Sequence, residues 1–309
     1  MALLFKSDTD RAEDWREAIH ALDPDIEFRA YPDIGEPDDI EAALIWKPPE
    51  GLLKSFANLK AIFSLGAGVD HLLGDPELPE DVPVVRMVDP ALTAGMTEWV
   101  TLMVLRHHRE LPRYERQERE RLWQEHMPKP PWRRRVGILG LGELGADAAR
   151  ALAQLRLDVM GWSRSPKDIE GIACYHGDSG LDDMLAISEI LVCLLPLTPQ
   201  TEGILNARLF AKLPKGAYVV NVGRGRHLVD DDLLQALDSG HLSGAALDVF
   251  RKEPLPADHP FWTHPGVFVS PHIASLTMPE TAARQVVDNM HRLRRGEPLT
   301  NVVDLSRGY

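Results

Sequence analysis

Three segments late in the chain carry residues suited to proton and charge transfer at a carbonyl. "NVGRGRHLVD" (221–230) sets Arg224 between two glycines, "ALDVFRKEPLP" (246–256) holds Asp248 and Glu253, and "VSPHIASLT" (269–277) puts His272 after Pro271. An arginine grips a carboxylate or a carbonyl oxygen through charged N–H groups. A histidine supplies the proton that a carbonyl oxygen needs when hydride reaches its carbon. A glutamate beside that histidine orients the ring and favours its charged form. Taken singly, Arg224 reads as a surface ion pair, Glu253 as a loop residue and His272 as a core histidine. Taken together they suit the reduction of a 2-oxo acid. The remaining histidines, among them His107, His108, His126 and His227, lack such company. No cluster has metal-ligand spacing, and no G-x-S-x-G elbow is present.

A source of hydride is legible upstream. "VGILGLGELG" (136–145) is an apolar strand running into Gly140, Gly142 and Gly145, followed by the helical pattern "ELGADAARALAQL" (143–155). Strand, GxGxxG and helix in that order form a dinucleotide fingerprint, with the pyrophosphate expected at the helix N-terminus. A carboxylate about 20 residues further on ordinarily holds the adenosine ribose. Here the positions past the next strand are Ser163, Arg164 and Ser165. Asp158 lies at the wrong end of that strand. Two hydroxyls and a guanidinium donate to a 2′-phosphate, whereas an acid would repel one. The cofactor expected is therefore NADP(H) rather than NAD(H).

The elements that must position these residues follow from apolar runs. "ALLF" (2–5), "EAALIW" (41–46) and "AIFSL" (61–65) read as buried strands, with an amphipathic helix over 10–22. A second series comprises "RVGILG" (135–140), "LDVMGW" (157–162), "EILVCLL" (189–195), "AYVVNVG" (217–223), "GAALDVF" (244–250) and "GVFVSP" (266–271). Near-continuous apolar strands alternating with helices predict an α/β fold with two doubly wound parallel sheets and ligands in the crevice between domains. Residues 93–111 read as a helix capped by Thr93 and broken at Pro112. A charged stretch, 113–132, follows and contains Tyr114, Leu122, Trp123 and Trp132. These residues are costly to leave in water, so a subunit contact competes with a solvated linker. A terminal helix over 279–296 ends on arginines and Gly296.

Bulk properties narrow the function classes. With 309 residues the chain is long enough for two domains. Its formal charge of −13 argues against nucleic acid or an anionic membrane as a main partner. No run approaches the ~20 apolar residues of a membrane span, and the N-terminus turns charged too soon for a signal peptide. Cys174 and Cys193, with no partner at ligand spacing, suit a reducing, cytoplasmic setting.

In sequence order, GxGxxG, "LPLTPQT" (195–201), "NVGRG", "ALDVFxxEPLP" and "SPHIA" resemble the D-isomer-specific 2-hydroxyacid dehydrogenase family. "SLGAGVDH" (64–71) resembles that family's substrate loop. Within the family, "IWKPP" (45–49), "GWSRSPK" and the terminal "RGY" are similar to the bacterial glyoxylate/hydroxypyruvate reductase A branch. The one departure from the general pattern is the missing acid after the second cofactor-domain strand.

The resemblance implies Arg224, Glu253 and His272 as the catalytic set. Backbone around Leu65, Gly66, Ala67 and Gly68 would cradle the substrate carboxylate, and Trp46 would face a small substrate. Cofactor contacts are implied at Gly140, Gly142, Glu143, Leu144 and Gly145, and at Ser163, Arg164 and Ser165. Leu194, Pro196 and Thr201 would line the groove, with Val222, Gly223, Asp248 and Ala274 towards the nicotinamide end. The architecture implied is a Rossmann-type NADP-binding domain over 98–275, including a dimerisation arm at 108–132. A smaller, discontinuous flavodoxin-like substrate domain would comprise 1–97 and 276–309. The reaction implied is NADPH-dependent reduction of glyoxylate to glycolate and of hydroxypyruvate to D-glycerate, by a cytoplasmic homodimer without a metal. Two alternatives stay open: a broader 2-oxo acid reductase, and an NADP(H)-sensing co-repressor-like binding protein.

Overall fold

The structure, a computed structural model, describes residues 2–305 and Arg307. Gly308 and Tyr309 of the "RGY" motif lie outside the described residues. The chain divides into two compact units, Met1–Leu92 with Leu276–Tyr309, and Thr93–Ser275.

The first unit is built on β1 (Ala2–Lys6), β2 (Glu27–Ala30), β3 (Ile40–Ile45), β4 (Ala61–Ser64) and β5 (Val84–Val85). All pair in parallel, in the order β2-β1-β3-β4-β5. This is the flavodoxin-like order. Side chains alternate between the two faces of the sheet. Ala2, Leu4, Ala43, Ile45, Ile62 and Val84 join one core cluster. Phe5 turns the other way, against Trp15 of the helix Ala12–Leu22 and against Phe28. The terminal helix Pro279–Arg295 stops at Gly296, whose φ of 66° is the left-handed cap anticipated there. Its His291 and Arg294 both bond Asp23, just past the first helix. Together these contacts hold that carboxyl below its usual range, the His291 bond contributing most.

The second unit contains β6 (Arg135–Leu139), β7 (Asp158–Ser163), β8 (Ala173–His176), β9 (Ile190–Cys193), β10 (Ala217–Asn221), β11 (Leu242–Leu247) and β12 (Val267–Val269). They form one parallel sheet in the order β12-β11-β10-β9-β6-β7-β8. This is the Rossmann order extended by one strand. The strict alternation of its strands fills two cores. Val136, Ile138, Ile190, Val192, Tyr218 and Val220 face one side, and Leu139, Leu191, Cys193, Val219 and Leu247 face the other.

The connecting helix begins at Pro90, not Thr93. Asp89 precedes it and accepts the Leu92 amide at 3.0 Å, so an aspartate and a proline open the helix and Thr93 lies inside it. The helix ends at His108. Glu110 takes a φ of 55°, and Pro112 then sits in the first turn of a new helix, Leu111–Arg119. The break predicted at Pro112 is thus a turn two residues earlier, because proline is tolerated where a helix starts. Among the described residues no helix is long and apolar enough to cross a membrane.

Candidate active site

Because every strand of the second unit runs the same way, all the loops that follow them emerge at one edge. Read across the sheet, that edge presents Ser163-Arg164-Ser165 after β7 and the glycine loop after β6. Next come 194–201 after β9, Arg224 after β10, Glu253 after β11 and His272 after β12. The strand order reverses between β6 and β9, which is where an open α/β sheet binds its ligand. The dinucleotide motif and the acid–base residues therefore occupy neighbouring stretches of one edge.

The glycine loop fits a dinucleotide at each position. Gly140 has a φ of +102°, and an added Cβ would lie 2.7 Å from the Leu194 carbonyl oxygen. A Cβ on Gly145 would lie 1.8 Å from the Gly140 oxygen, so helix and strand meet there without a side chain. Gly142 has nothing within 4 Å of the Cβ position, leaving its backbone open to a pyrophosphate. It also precedes the helix Glu143–Gln154, which receives no side-chain cap. Uncapped amides at a helix start suit an anion. Ser163 turns its hydroxyl to the Ser165 carbonyl at 2.7 Å, and Arg164 and Ser165 are exposed. Thr201 bonds the Pro196 oxygen at 2.7 Å and fixes the turn after β9.

The acid–base residues meet. His272 Nδ1 lies 2.9 Å from Glu253 Oε2. Glu253 Oε1 accepts the Phe250 amide at 3.1 Å, which fixes the carboxylate at its other oxygen. Arg224 is half-buried, and its Nη1 bonds the Gly223 carbonyl at 2.9 Å. The glycine after it allows the approach: a Cβ on Gly225 would lie 1.8 Å from the Phe250 carbonyl carbon. Arg224 is thereby brought against the segment that leads to Glu253.

Asp248 has a structural role that the sequence reading missed. It is 1 % exposed. Its carboxylate accepts the Ser270 hydroxyl at 2.6 Å and the amides of Ile273 and Ala274 at 2.9 and 2.8 Å. Its carbonyl takes the His272 amide at 2.8 Å. One residue thus organises the loop in which His272 adopts a left-handed φ of 56°. Such a conformation costs about 1–3 kcal/mol and persists only where neighbours impose it. Asn221, unremarked in the sequence, and His227, which the sequence left without functional company, are fully buried beside Arg224. Cys193 is fully buried, and burial pushes its thiol up to about 12. No group of three metal-ligating side chains occurs among the described residues.

In the first unit, the loop after β4 carries the other site candidates. Gly66 donates to Ser64 Oγ at 3.2 Å, and Ser64 Oγ donates to the Gly68 oxygen at 3.1 Å. The amides of Ala67 and Gly68 have no acceptor among the described residues. Trp46 stands over this loop. A Cβ on Gly66 would lie 2.9 Å from its ring, which also meets His71 at a centroid distance of 4.3 Å and the Lys47 ammonium at 5.7 Å.

Comparison with known proteins agrees with this geometry. Residues 101–274 match the family model described as D-isomer specific 2-hydroxyacid dehydrogenase, NAD binding domain. The chain belongs to that family. A glyoxylate/hydroxypyruvate reductase A of Yersinia enterocolitica is 40% identical, covering 100% of both chains. Among solved structures, a D-isomer specific 2-hydroxyacid dehydrogenase of Xanthobacter autotrophicus in complex with NADPH is 47% identical. It superposes with a TM-score of 0.96 over 100% of this chain and 99% of its own. An NADPH-dependent glyoxylate/hydroxypyruvate reductase of Sinorhizobium meliloti, in complex with NADP and sulfate, is 40% identical. Its TM-score is 0.94 over the same shares. In this D-isomer specific 2-hydroxyacid dehydrogenase the turn after β7 reads Ser163-Arg164-Ser165 and holds no carboxylate.

Proposed function

We propose that this dehydrogenase reduces glyoxylate to glycolate and hydroxypyruvate to D-glycerate with NADPH. The observation that carries the reading is the His272–Glu253 pair, at 2.9 Å, on the same sheet edge as an uncapped GxGxxG helix. The relatives named for this reaction match over their whole length, which supports the substrate class.

Bound NADPH supplies a hydride to C2 of the oxo acid. The chain's own residues do the rest. His272 gives its Nε2 proton to the carbonyl oxygen as that oxygen takes the π electron pair, so that a hydroxyl forms. Glu253 accepts the Nδ1–H throughout, which stabilises the imidazolium beforehand and fixes the neutral tautomer afterwards. Arg224 donates to an oxygen of the substrate and withdraws charge from the reacting carbonyl. The Leu65–Gly68 loop offers the free amides of Ala67 and Gly68 to the substrate carboxylate. Trp46, lying on Gly66, limits the side chain to a small one. On the cofactor, Glu143, Leu144 and Gly142 offer helix-start amides, and Ser163, Arg164 and Ser165 take the 2′-phosphate. Leu194, Pro196, Thr201, Val222, Gly223, Asp248 and Ala274 are assigned to the groove and its nicotinamide end.

We further infer a homodimer that uses the arm at 108–132. Leu122, Trp123, Met127 and Trp132 are exposed, Trp123 at 96%. A 510 Å³ groove nearby is lined by Leu102, Leu105, Leu111 and Tyr114 with two arginines. Apolar surface of this extent suits a partner. The free thiols Cys174 and Cys193 suit the cytoplasm. Incubation with NADPH and each oxo acid, with chromatographic identification of glycolate and D-glycerate, tests the reaction. Absence of both products would contradict it. Sedimentation equilibrium tests the dimer, and a monomer at micromolar concentration would contradict that part.

A further inference from the structure

His227 is wholly buried, three residues beyond Arg224. The short turn Gly225–His227 folds its ring back under the loop. Nδ1 accepts the Arg224 backbone amide at 3.0 Å. Nε2 lies 3.2 Å from the Pro196 carbonyl oxygen. A nitrogen that accepts an N–H carries no proton, and one that faces a carbonyl must carry one. The ring is therefore the neutral Nε2–H tautomer, and it ties together two loops that follow adjacent strands. One loop presents the Arg224 guanidinium; the other forms the turn after β9.

The surroundings leave little freedom. A Cβ on Gly223 would lie 2.9 Å from His227 Nδ1. Asn221, also fully buried, donates to the Arg224 carbonyl at 3.1 Å and accepts the Gly223 amide at 3.3 Å. The backbone of Arg224 is thus gripped at its amide by His227 and at its carbonyl by Asn221. The Pro196 oxygen has a second donor in Thr201, whereas Nδ1 is the acceptor that the Arg224 amide meets. The Cys193 thiol also lies against Nδ1, at 3.8 Å, as a weak donor. Of the ring's bonds to the backbone, the one to Arg224 is the less replaceable.

We propose that His227 is a positioning residue, whose neutral ring sets the Arg224 guanidinium for the oxo acid. This rests on the assignment of Arg224 as the substrate clamp. Misplacement of a clamp by about 1 Å costs about 100-fold in rate, so a buried acceptor behind it has a measurable effect without touching substrate.

Two substitutions separate the ring's bond to Arg224 from its bond to Pro196. In His227→Asn the amide oxygen stands where Nδ1 stood and still accepts the Arg224 amide. In His227→Gln the terminal amide reaches Pro196, but the acceptor that Nδ1 offers the Arg224 amide is removed. The expected kcat is within about threefold of wild type for His227→Asn and lower by about 10–100-fold for His227→Gln. NADPH affinity, read by fluorescence titration, should stay within about twofold in His227→Gln. Placed on Arg224→Gln, His227→Gln should add little further loss, since the clamp it positions is gone.

Equal kcat for His227→Gln and wild type would overturn the proposal, as would an equal cost in both Arg224 backgrounds. Equal losses of turnover and NADPH binding in both His227 variants would make the ring a structural filler and would also overturn it. Arg224→Gln with wild-type activity would instead overturn the clamp assignment itself.

Discussion

His272 and Glu253 face each other at 2.9 Å although nineteen positions and a whole strand separate them in the chain. The contact exists because β11 and β12 are parallel neighbours whose following loops emerge side by side. Asp248, at the root of one loop, binds the other at three atoms. Removing the imidazole in His272→Ala should lower kcat by about 10²–10⁴-fold, the ordinary worth of a positioned acid. Glu253→Gln exchanges the charged acceptor facing His272 Nδ1 for a neutral amide, so kcat should fall by about 10-fold or more. Steady-state kinetics check it, and an unchanged kcat would separate Glu253 from the proton transfer.

Arg164 should decide the cofactor. Its guanidinium is exposed beside the β7 end, where it can meet a 2′-phosphate through charged hydrogen bonds. Each such bond contributes about 1.5–3 kcal/mol. Arg164→Ala should therefore raise the KM for NADPH by at least about tenfold and leave that for NADH nearly unchanged. Initial-rate kinetics with both cofactors measure the ratio.

The glycines of the cofactor loop should behave differently under one added methyl group. In Gly145→Ala the Cβ would fall 1.8 Å from a backbone oxygen, and neither helix nor strand can move cheaply. A stability loss of about 3 kcal/mol is expected. In Gly142→Ala the methyl meets nothing, so stability should change by at most about 1 kcal/mol. NADPH binding should fall instead, because the methyl takes the space of the pyrophosphate. Denaturation and titration of both variants test the contrast.

His107 offers a stability test away from the chemistry. It stacks on Tyr218 at a centroid distance of 4.2 Å. Burial, aided by the Arg134 charge, lowers its pKa to about 3. In the unfolded chain the ring takes a proton below about pH 6.5, and in the fold it does not. Its contribution to stability is therefore intact above that pH and is lost as pH falls towards 3. Between pH 7 and 5 the loss amounts to about 2 kcal/mol. His107→Phe keeps the stack and should flatten this part of the stability profile. An unchanged slope in urea denaturation would contradict it.

Much of this was legible in the sequence. The long apolar strands, the glycine loop and the residues Arg224, Glu253 and His272 stand out because each has a strong local signature. The weaker elements did not. β2, with one buried residue in four, and the two-residue β5 are too short or too exposed to carry a period. β8 has no fully buried residue. The helix start at Asp89-Pro90 was missed because Thr93 is an equally good cap by type, and only the fold shows which oxygen meets an amide. Nothing near His227 in the sequence marks it out. Two of its partners are backbone groups, and the third, the Cys193 thiol, lies 34 positions away. Asp248 was assigned to the cofactor by its place in the pattern, and its hold on the His272 loop became visible only once the strands were aligned.

The most direct test of the central claim is the initial rate of NADPH and NADH oxidation with glyoxylate, hydroxypyruvate, pyruvate and a longer 2-oxo acid. Fast turnover of the first two with NADPH, and slow turnover with NADH or with the longer acid, is the expected result. Rates with NADH equal to those with NADPH would contradict the reading of Ser163-Arg164-Ser165. Absence of turnover with every oxo acid would contradict the catalytic assignment of His272, Glu253 and Arg224.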